Sequence, residues 1–344
     1  MKITVLMGGA SAERNVSLAT GWGIARALRA KGHEVVAVDA AGGRLIPELE
    51  DSTGGIGREP PDSGELSKLD TGQLACRMED LPEFAGTAAI FVALHGGAGE
   101  DGRIQAILDL MSVPYTGSGP LGSALAMDKL VSKELFRDGG IRTPAWLVGA
   151  VDAAAVEKEL GGFPVVVKPS HEGSTVGVSL VRGPEQLRGA IAEASRYVGP
   201  PMVEQFIAGR EVAVGVLGEE ALPVVEIRPS HEIYDYECKY TKGMSEYEVP
   251  APLSGECTEE LRDLAVRAHR VLRLSAYSRV DFRIDGSDRP WCLEANSLPG
   301  MTATSLLPKA AAAGGLGFED LCERIVRLAL ERVGPVGSSS VVGG

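Results

Sequence analysis

The chain has 344 residues, 44% of them hydrophobic and 24% charged, which allows two or three globular domains around a substantial core. A formal net charge of -13 excludes a nucleic-acid partner held by a basic surface, so any anionic ligand must be met by a few placed lysines and arginines. Cys76, Cys238, Cys257, Cys292 and Cys322 form no CxxC pair, and no apolar run exceeds Ala88 to Leu94. The expectation is reduced thiols in the cytoplasm, with no zinc site, disulfide framework, signal peptide or membrane span.

Lys2 to Gly9 reads as a buried strand ending in a glycine turn, Asn15 to Ala30 as a helix, and His33 to Asp39 as a second strand. This β-α-β order predicts an α/β fold that begins with a parallel sheet. The turn Gly8-Gly9-Ala10-Ser11-Ala12-Glu13 is not GxGxxG, and an acid stands where a pyrophosphate would sit, so a nicotinamide site is disfavoured. Residues 41–80 show little periodicity and read as a connector. The strand from Ala88 delivers His95 to a carboxyl edge, where open α/β sheets place ligands, though a lone histidine is as often structural. Arg103 to Met111 reads as a helix. Gly117 to Lys129 lacks the GK[ST] ending of a P-loop, and a domain boundary is placed near Ala126. The helix through Lys129 to Arg137 stops at Gly139-Gly140.

Val165 to Val167 is a buried strand that delivers Lys168 to the small-residue loop Ser170 to Gly177. Such a loop either closes backbone N–H groups on phosphate or is a plain hairpin turn. Pro184 to Tyr197 reads as a helix, Pro201 to Phe206 as a strand carrying Glu204, and Glu211 to Leu217 as another strand. His231 to Gly255 is polar, rich in tyrosine and poorly periodic, which reads as a long loop acting as a lid. Helices follow over Glu259 to Leu272 and Glu319 to Arg332, and a Gly/Ser/Val tail from Gly334 is expected to be disordered.

The densest chemistry lies between these two helices. In SRVDFRID, Arg279, Asp281, Arg283 and Asp285 share one strand face. In WCLEANS, Cys292, Glu294 and Asn296 point one way and Trp291, Leu293 and Ala295 the other. If the strands pair, Asp281 meets Glu294 and Asn296, a hard-oxygen set suited to Mg²⁺. The same alternation also describes a polar, solvated sheet face.

Taken in order, GGASAERNVSLATG, ALHGGAGEDGRIQ, PYTGSGPLGSALAMDK, VVKPSHEGSTVGV, YDYECKY, RVDF and LEANSLPGMTATSL resemble the D-alanine–D-alanine ligase family of ATP-grasp enzymes, from Lys2 to about Arg332. The resemblance implies three domains, 1–126, 127–208 and 209–333 with a lid at 231–255, and a tail at 334–344. It implies ATP and two Mg²⁺ or Mn²⁺ ions, D-alanine as the small-molecule substrate, a homodimer, and a role in peptidoglycan precursor synthesis. Residue by residue, Lys129 and Lys168 would contact the phosphates and the edge of adenine, and Lys239 would reach a phosphate from the lid. Glu204, Gln205 and Ile207 would read adenine, and Glu211 would hold the ribose. Asp281, Glu294 and Asn296 would bind metal. Glu13 and His95 would hold the first D-alanine, Arg279 and the Gly300 backbone the oxyanion, and Ser305 and Leu306 the second D-alanine. Ser174 and Tyr240 would join Glu13 in a hydrogen-bonded set. His171 and Gly97-Ala98 depart from the commonest family forms. A depsipeptide-forming ligase of the same fold, a nicotinamide dehydrogenase and a non-catalytic nucleotide-binding protein are the alternatives weighed.

Overall fold

The structure is a computed structural model that describes residues 1–41, 44–45, 66, 69, 78, 81–232, 234, 238–239, 241, 243–302 and 304–333. Most of the connector 41–80, Cys76, Tyr240 and the tail 334–344 therefore lie outside the described residues.

Three sheets carry the chain. The first contains β1 (Lys2–Met7), β2 (Glu34–Asp39), β3 (Arg44–Leu45) and β4 (Ala89–Val92) in the order β3-β2-β1-β4. β1 pairs in parallel with both β2 and β4, as the β-α-β reading requires. Ile3, Val5, Ile90 and Phe91 are wholly buried because helices cover the sheet: α1 (Arg14–Ala30) packs on β1 and β2. Next come α2 (Arg103–Leu110), α3 (Pro120–Met127) and α4 (Lys129–Asp138). Asp128 caps α4 by accepting from the Leu130 and Val131 amides, and Gly140 ends the turn at φ +69°. Ala126, where the sequence places a boundary, lies inside α3. Both helices pack on the third sheet. A Cβ at Gly122 of α3 would sit 2.5 Å from the Arg273 carbonyl oxygen, so the close approach needs glycine.

The second sheet is antiparallel throughout: β5 (Trp146–Val148), β6 (Val165–Pro169), β7 (Ser179–Val181) and β8 (Pro201–Gln205), in the order β5-β8-β6-β7. The helix α5 (Pro184–Ala194) packs on it and ends three residues short of Tyr197.

The third sheet holds β9 (Arg210–Leu217), β10 (Glu220–Ala221), β11 (Val225–Pro229), β12 (Ser245–Glu248), β13 (Tyr277–Ile284) and β14 (Pro290–Asn296). The order is β12-β11-β9-β13-β14, with β10 on β9. β12 corrects the reading of 231–255 as loop alone: Ser245–Glu248 pairs with β11, and its four residues alternate half-buried and exposed. The helix α6 (Gly255–Val271) starts four residues before Glu259, because the Ser254 side chain accepts from the Cys257 amide at 3.2 Å.

Helices α7 (Leu306–Ala313) and α8 (Phe318–Val333) complete the chain. α8 returns to the first sheet, where Leu321, Ile325 and Val326 share a core with Ile3, Phe91 and Leu28. α8 thus closes over the first sheet. No helix among the described residues is long and apolar enough to cross a membrane.

Candidate active site

The pairing expected from the sequence forms: Asp281 of β13 stands opposite Glu294 of β14, and Arg279 opposite Asn296. The Asn296 amide donates to Asp281 Oδ2 at 3.0 Å. Arg279 grips Asp281 with Nε and Nη2, each 2.7 Å from a carboxylate oxygen. Lys129 Nζ lies 3.2 Å from Glu294 Oε2 and donates to the Glu172 carbonyl at 2.6 Å. Burial would raise the Glu294 carboxyl; Lys129, Lys168, Lys239 and Arg279 outweigh it and hold the group below the usual carboxylate range.

The strict alternation expected along β14 does not hold. The register slips between Asp281 and Phe282, so Phe282 pairs with Cys292 and Leu293 becomes the extra residue of a bulge. Cys292 is wholly buried in the core with Ala295, while Leu293 lines the cleft beside Glu294. The bulge aims Glu294 without disturbing the core face.

Among the described residues no three His, Cys, Asp or Glu side chains gather as a metal site. The set is two carboxylates and an amide on paired strands, which fits an ion that takes one or two carboxylates and completes its shell with water and phosphate. Arg279 and Lys129, the cations that now neutralise the carboxylates, would have to share them with such an ion.

Two cavities meet here. The first lies between the second and third sheets and is lined by Lys129, Lys168, Glu204, Gln205, Ile207, Glu211 and Asp281. The second is lined by Glu13, His95, Arg279, Asn296, Gly300, Ser305 and Leu306. Ser174, Lys239 and Glu294 belong to both walls. Every site residue expected from the sequence lines one cavity or the other, except Tyr240, which lies outside the described residues.

In the first cavity, Lys168 donates to Glu204 Oε2 at 2.8 Å. Burial works against the Glu204 charge, but Lys133 and Lys168 overcome it and keep the carboxyl below its usual value. Glu211 is steadied by Arg283, whose Nη1 lies 3.0 Å from Glu211 Oε2 and whose Nε donates to the Ile207 carbonyl at 3.0 Å. Burial raises the Glu211 carboxyl despite Arg283 and Lys239.

In the second cavity, Glu13 immediately precedes α1, at the end of the first glycine turn. Burial, then Glu100, raise its carboxyl above the usual range, against His95, Ser174 and Lys239. Ser174 donates its hydroxyl to Glu13 Oε1. A Cβ on Gly96, which has φ +67°, would stand 2.8 Å from Glu13 Oε2, so glycine is what lets the histidine loop approach. His95 Nε2 bonds Thr20 Oγ1 at 3.0 Å, and Nδ1 lies 3.4 Å from Glu100 Oε1. Burial disfavours the charged His95 ring, yet Glu100 outweighs it and raises the pKa. The Ser170–Gly177 loop is the connection of the β6-β7 hairpin, and it also lines the cavities. Ser174 and Thr175 both take left-handed φ, 50° and 64°, held by the bond to Glu13 and by Thr175 Oγ1 donating to the Tyr234 carbonyl at 2.9 Å.

Glu100, Lys133 and the pair Tyr234–Tyr247, whose hydroxyls are 2.9 Å apart, escaped the sequence reading, and Arg283, placed there only on a strand face, is the partner of Glu211. Lys133 had one available signal. Lys129, Ser132, Lys133 and Phe136 sit at i, i+3, i+4 and i+7, the spacing of a buried helix face, and all four are buried.

Comparison with known proteins agrees with this geometry. The D-ala D-ala ligase N-terminus family matches residues 2–118, and the D-ala D-ala ligase C-terminus family matches residues 140–327. The D-alanine–D-alanine ligase of Halalkalibacterium halodurans is 45% identical over 341 residues, covering 96% of this chain and 100% of the relative. That of Geobacter sulfurreducens is 43% identical, covering 98% of this chain and 97% of the relative. The crystal structure of D-alanine–D-alanine ligase from Bacillus anthracis complexed with ATP superposes with a TM-score of 0.76 at 29% identity, over 97% of this chain and 98% of that one. With both family regions and nearly full-length relatives in agreement, the chain belongs to the D-alanine–D-alanine ligase family.

Proposed function

We propose that this protein joins two D-alanines to D-alanyl-D-alanine at the expense of ATP, through an acyl phosphate, for peptidoglycan precursor synthesis. The observation that carries the reading is the pair of abutting cavities sharing Ser174, Lys239 and Glu294. A nucleotide in the first would present its terminal phosphate to a carboxylate in the second.

A carboxylate is a poor acyl donor because its leaving group would be oxide. Attack of a D-alanine carboxylate oxygen on the γ-phosphorus forms the acyl phosphate and releases ADP. The second amine, as its proton departs, attacks the carbonyl carbon, and phosphate leaves. Glu13 receives the first ammonium, with His95 beside its carboxylate. Lys129, Lys168 and Lys239 position and neutralise the phosphates. Glu204, Gln205 and Ile207 read adenine, and Glu211 takes the ribose hydroxyls. Arg279 and the Gly300 N–H face the tetrahedral oxyanion, where one such donor contributes about 3 kcal/mol. Ser305 and Leu306, at the start of α7, hold the second carboxylate through the Ser305 hydroxyl and the Leu306 amide. Asp281, Glu294 and Asn296 would hold Mg²⁺ or Mn²⁺, which would supply charge neutralisation for the phosphates. The segment 231–255 excludes water that would hydrolyse the acyl phosphate.

The domain divisions 1–126, 127–208 and 209–333, the cytoplasmic location and the homodimer are parts of the same proposal. Phosphate release from ATP with D-alanine, L-alanine and D-lactate tests the activity. D-alanine labelled with a heavy oxygen isotope in its carboxylate tests the intermediate, because one labelled oxygen must leave in inorganic phosphate. Dominant ester from mixed D-alanine and D-lactate would move the assignment to depsipeptide synthesis.

A further inference from the structure

Lys133 is wholly buried on α4 and lines neither cavity. Its Nζ lies 2.5 Å from Glu204 Oε1 and 2.6 Å from Thr143 Oγ1, and 5.0 Å from the centre of the Trp146 ring. Trp146 of β5 is the cross-strand partner of Glu204 on β8. Lys168 takes the other Glu204 oxygen at 2.8 Å and also faces Glu294. Burial pulls the Lys133 ammonium down from its usual value, and the adjacent carboxylate opposes that.

A single lysine opposite Glu204 would leave a neutral pair in which the Lys168 charge is consumed. Two lysines leave one positive charge over. Lys168 can then serve the phosphates while Glu204 stays ionised with its rotamer fixed from behind. An ionised carboxylate at the base end of the cavity accepts a hydrogen bond from a 6-amino purine and repels a 6-oxo purine. We propose that Lys133 is a positioning residue for nucleobase selection: clamped by Thr143, it holds the Glu204 carboxylate as an acceptor for a 6-aminopurine nucleotide and leaves the Lys168 charge to the phosphates. The inference rests on the nucleotide reading of the first cavity.

The test is direct binding of ATP and ITP, with kcat and KM for both, in the unmodified protein, Lys133→Met, Glu204→Gln and the double variant. In Lys133→Met the ATP Kd should rise about tenfold, the size of one charge-assisted hydrogen bond. Kd for ITP should rise less, by the part of the Lys168 charge that the phosphates lose in both nucleotides, so the preference for ATP falls. The double variant should be no worse than Glu204→Gln, because Lys133 acts only through that carboxylate. A lower melting temperature with an unchanged ATP-to-ITP ratio would make Lys133 a structural residue and overturn the inference. If Lys133→Met does not fold, Thr143→Val, which keeps the charge and removes its anchor, must lower the ratio; an unchanged ratio there overturns it equally. Failure of the unmodified protein to bind ATP would instead sink the nucleotide reading.

Discussion

Ser174 and Glu13 are hydrogen-bonded across 161 positions of sequence, joining the β6-β7 loop to the residue that precedes α1. This contact links the second sheet to the first and stands on the wall between the two cavities. Removing it by Ser174→Ala should lower the melting temperature only modestly, since Ser174 lies on a half-buried loop that lines the cavities. It should lower kcat/KM for D-alanine about tenfold, as expected for one hydrogen bond to a charged group. Steady-state kinetics beside a thermal melt decide it; equal losses in stability and activity would make the bond a structural tie alone.

Glu13 itself lines the second cavity, the proposed D-alanine site. Burial and Glu100 already strain its charge, and an incoming ammonium would relieve that. Glu13→Gln should raise the requirement for the first D-alanine by roughly ten- to a hundredfold, the range of a charge-assisted hydrogen bond, and barely touch that for ATP. Separate titrations of the two substrates measure this. A matching rise for ATP would place Glu13 in the nucleotide site.

Glu294 is the carboxylate common to both cavities, and four cations surround it. Glu294→Gln should preserve the fold, since its partners Lys129 and Lys168 keep contacts to the Glu172 carbonyl and to Glu204. Turnover should fall by about a hundredfold or more, the scale of losing an electrostatic stabiliser of charge developing in the transition state. Turnover across a Mg²⁺ titration, with circular dichroism as control, is the measurement. Near-normal rates at millimolar Mg²⁺ would overturn the proposal that Glu294 holds metal.

Much of this site was legible because strand alternation is a two-residue rule. Asp281, Val280 and Phe282 declare their faces, and the Asp281–Glu294 pairing follows. The β14 bulge was not legible: one inserted residue, Leu293, reverses the faces before it, and no glycine marks the place. Lys133 was hidden by the expectation that helix lysines face water, which tertiary ion pairing overrides. β12 is only four residues long, and its pairing partner lies outside the stretch that was read as a loop. The return of α8 to the first sheet depends on packing between the two ends of the chain, which no local pattern records.

His269 gives a pH dependence of stability that the chemistry does not share. It lies on α6, 1% exposed, with Nδ1 2.7 Å from Ser278 Oγ. Burial lowers its pKa from 6.5 to about 4, with Glu219 opposing and Arg270 assisting. The unfolded chain therefore takes up this proton first. The contribution of neutral His269 is complete above pH 6.5 and is lost as pH falls from 6.5 towards 4. The full difference is on the order of 3 kcal/mol, at about 1.4 kcal/mol per pKa unit. His269→Gln, neutral at either pH, forfeits some stability at all pH values but should lack this step. Urea unfolding near pH 7.5 and near pH 4.5 isolates it, because the other titrating groups cancel between the two proteins. The unmodified protein should lose about 2 kcal/mol more than the variant on going to the lower pH. Equal losses in both would show that His269 is protonated in the folded state near its ordinary pKa.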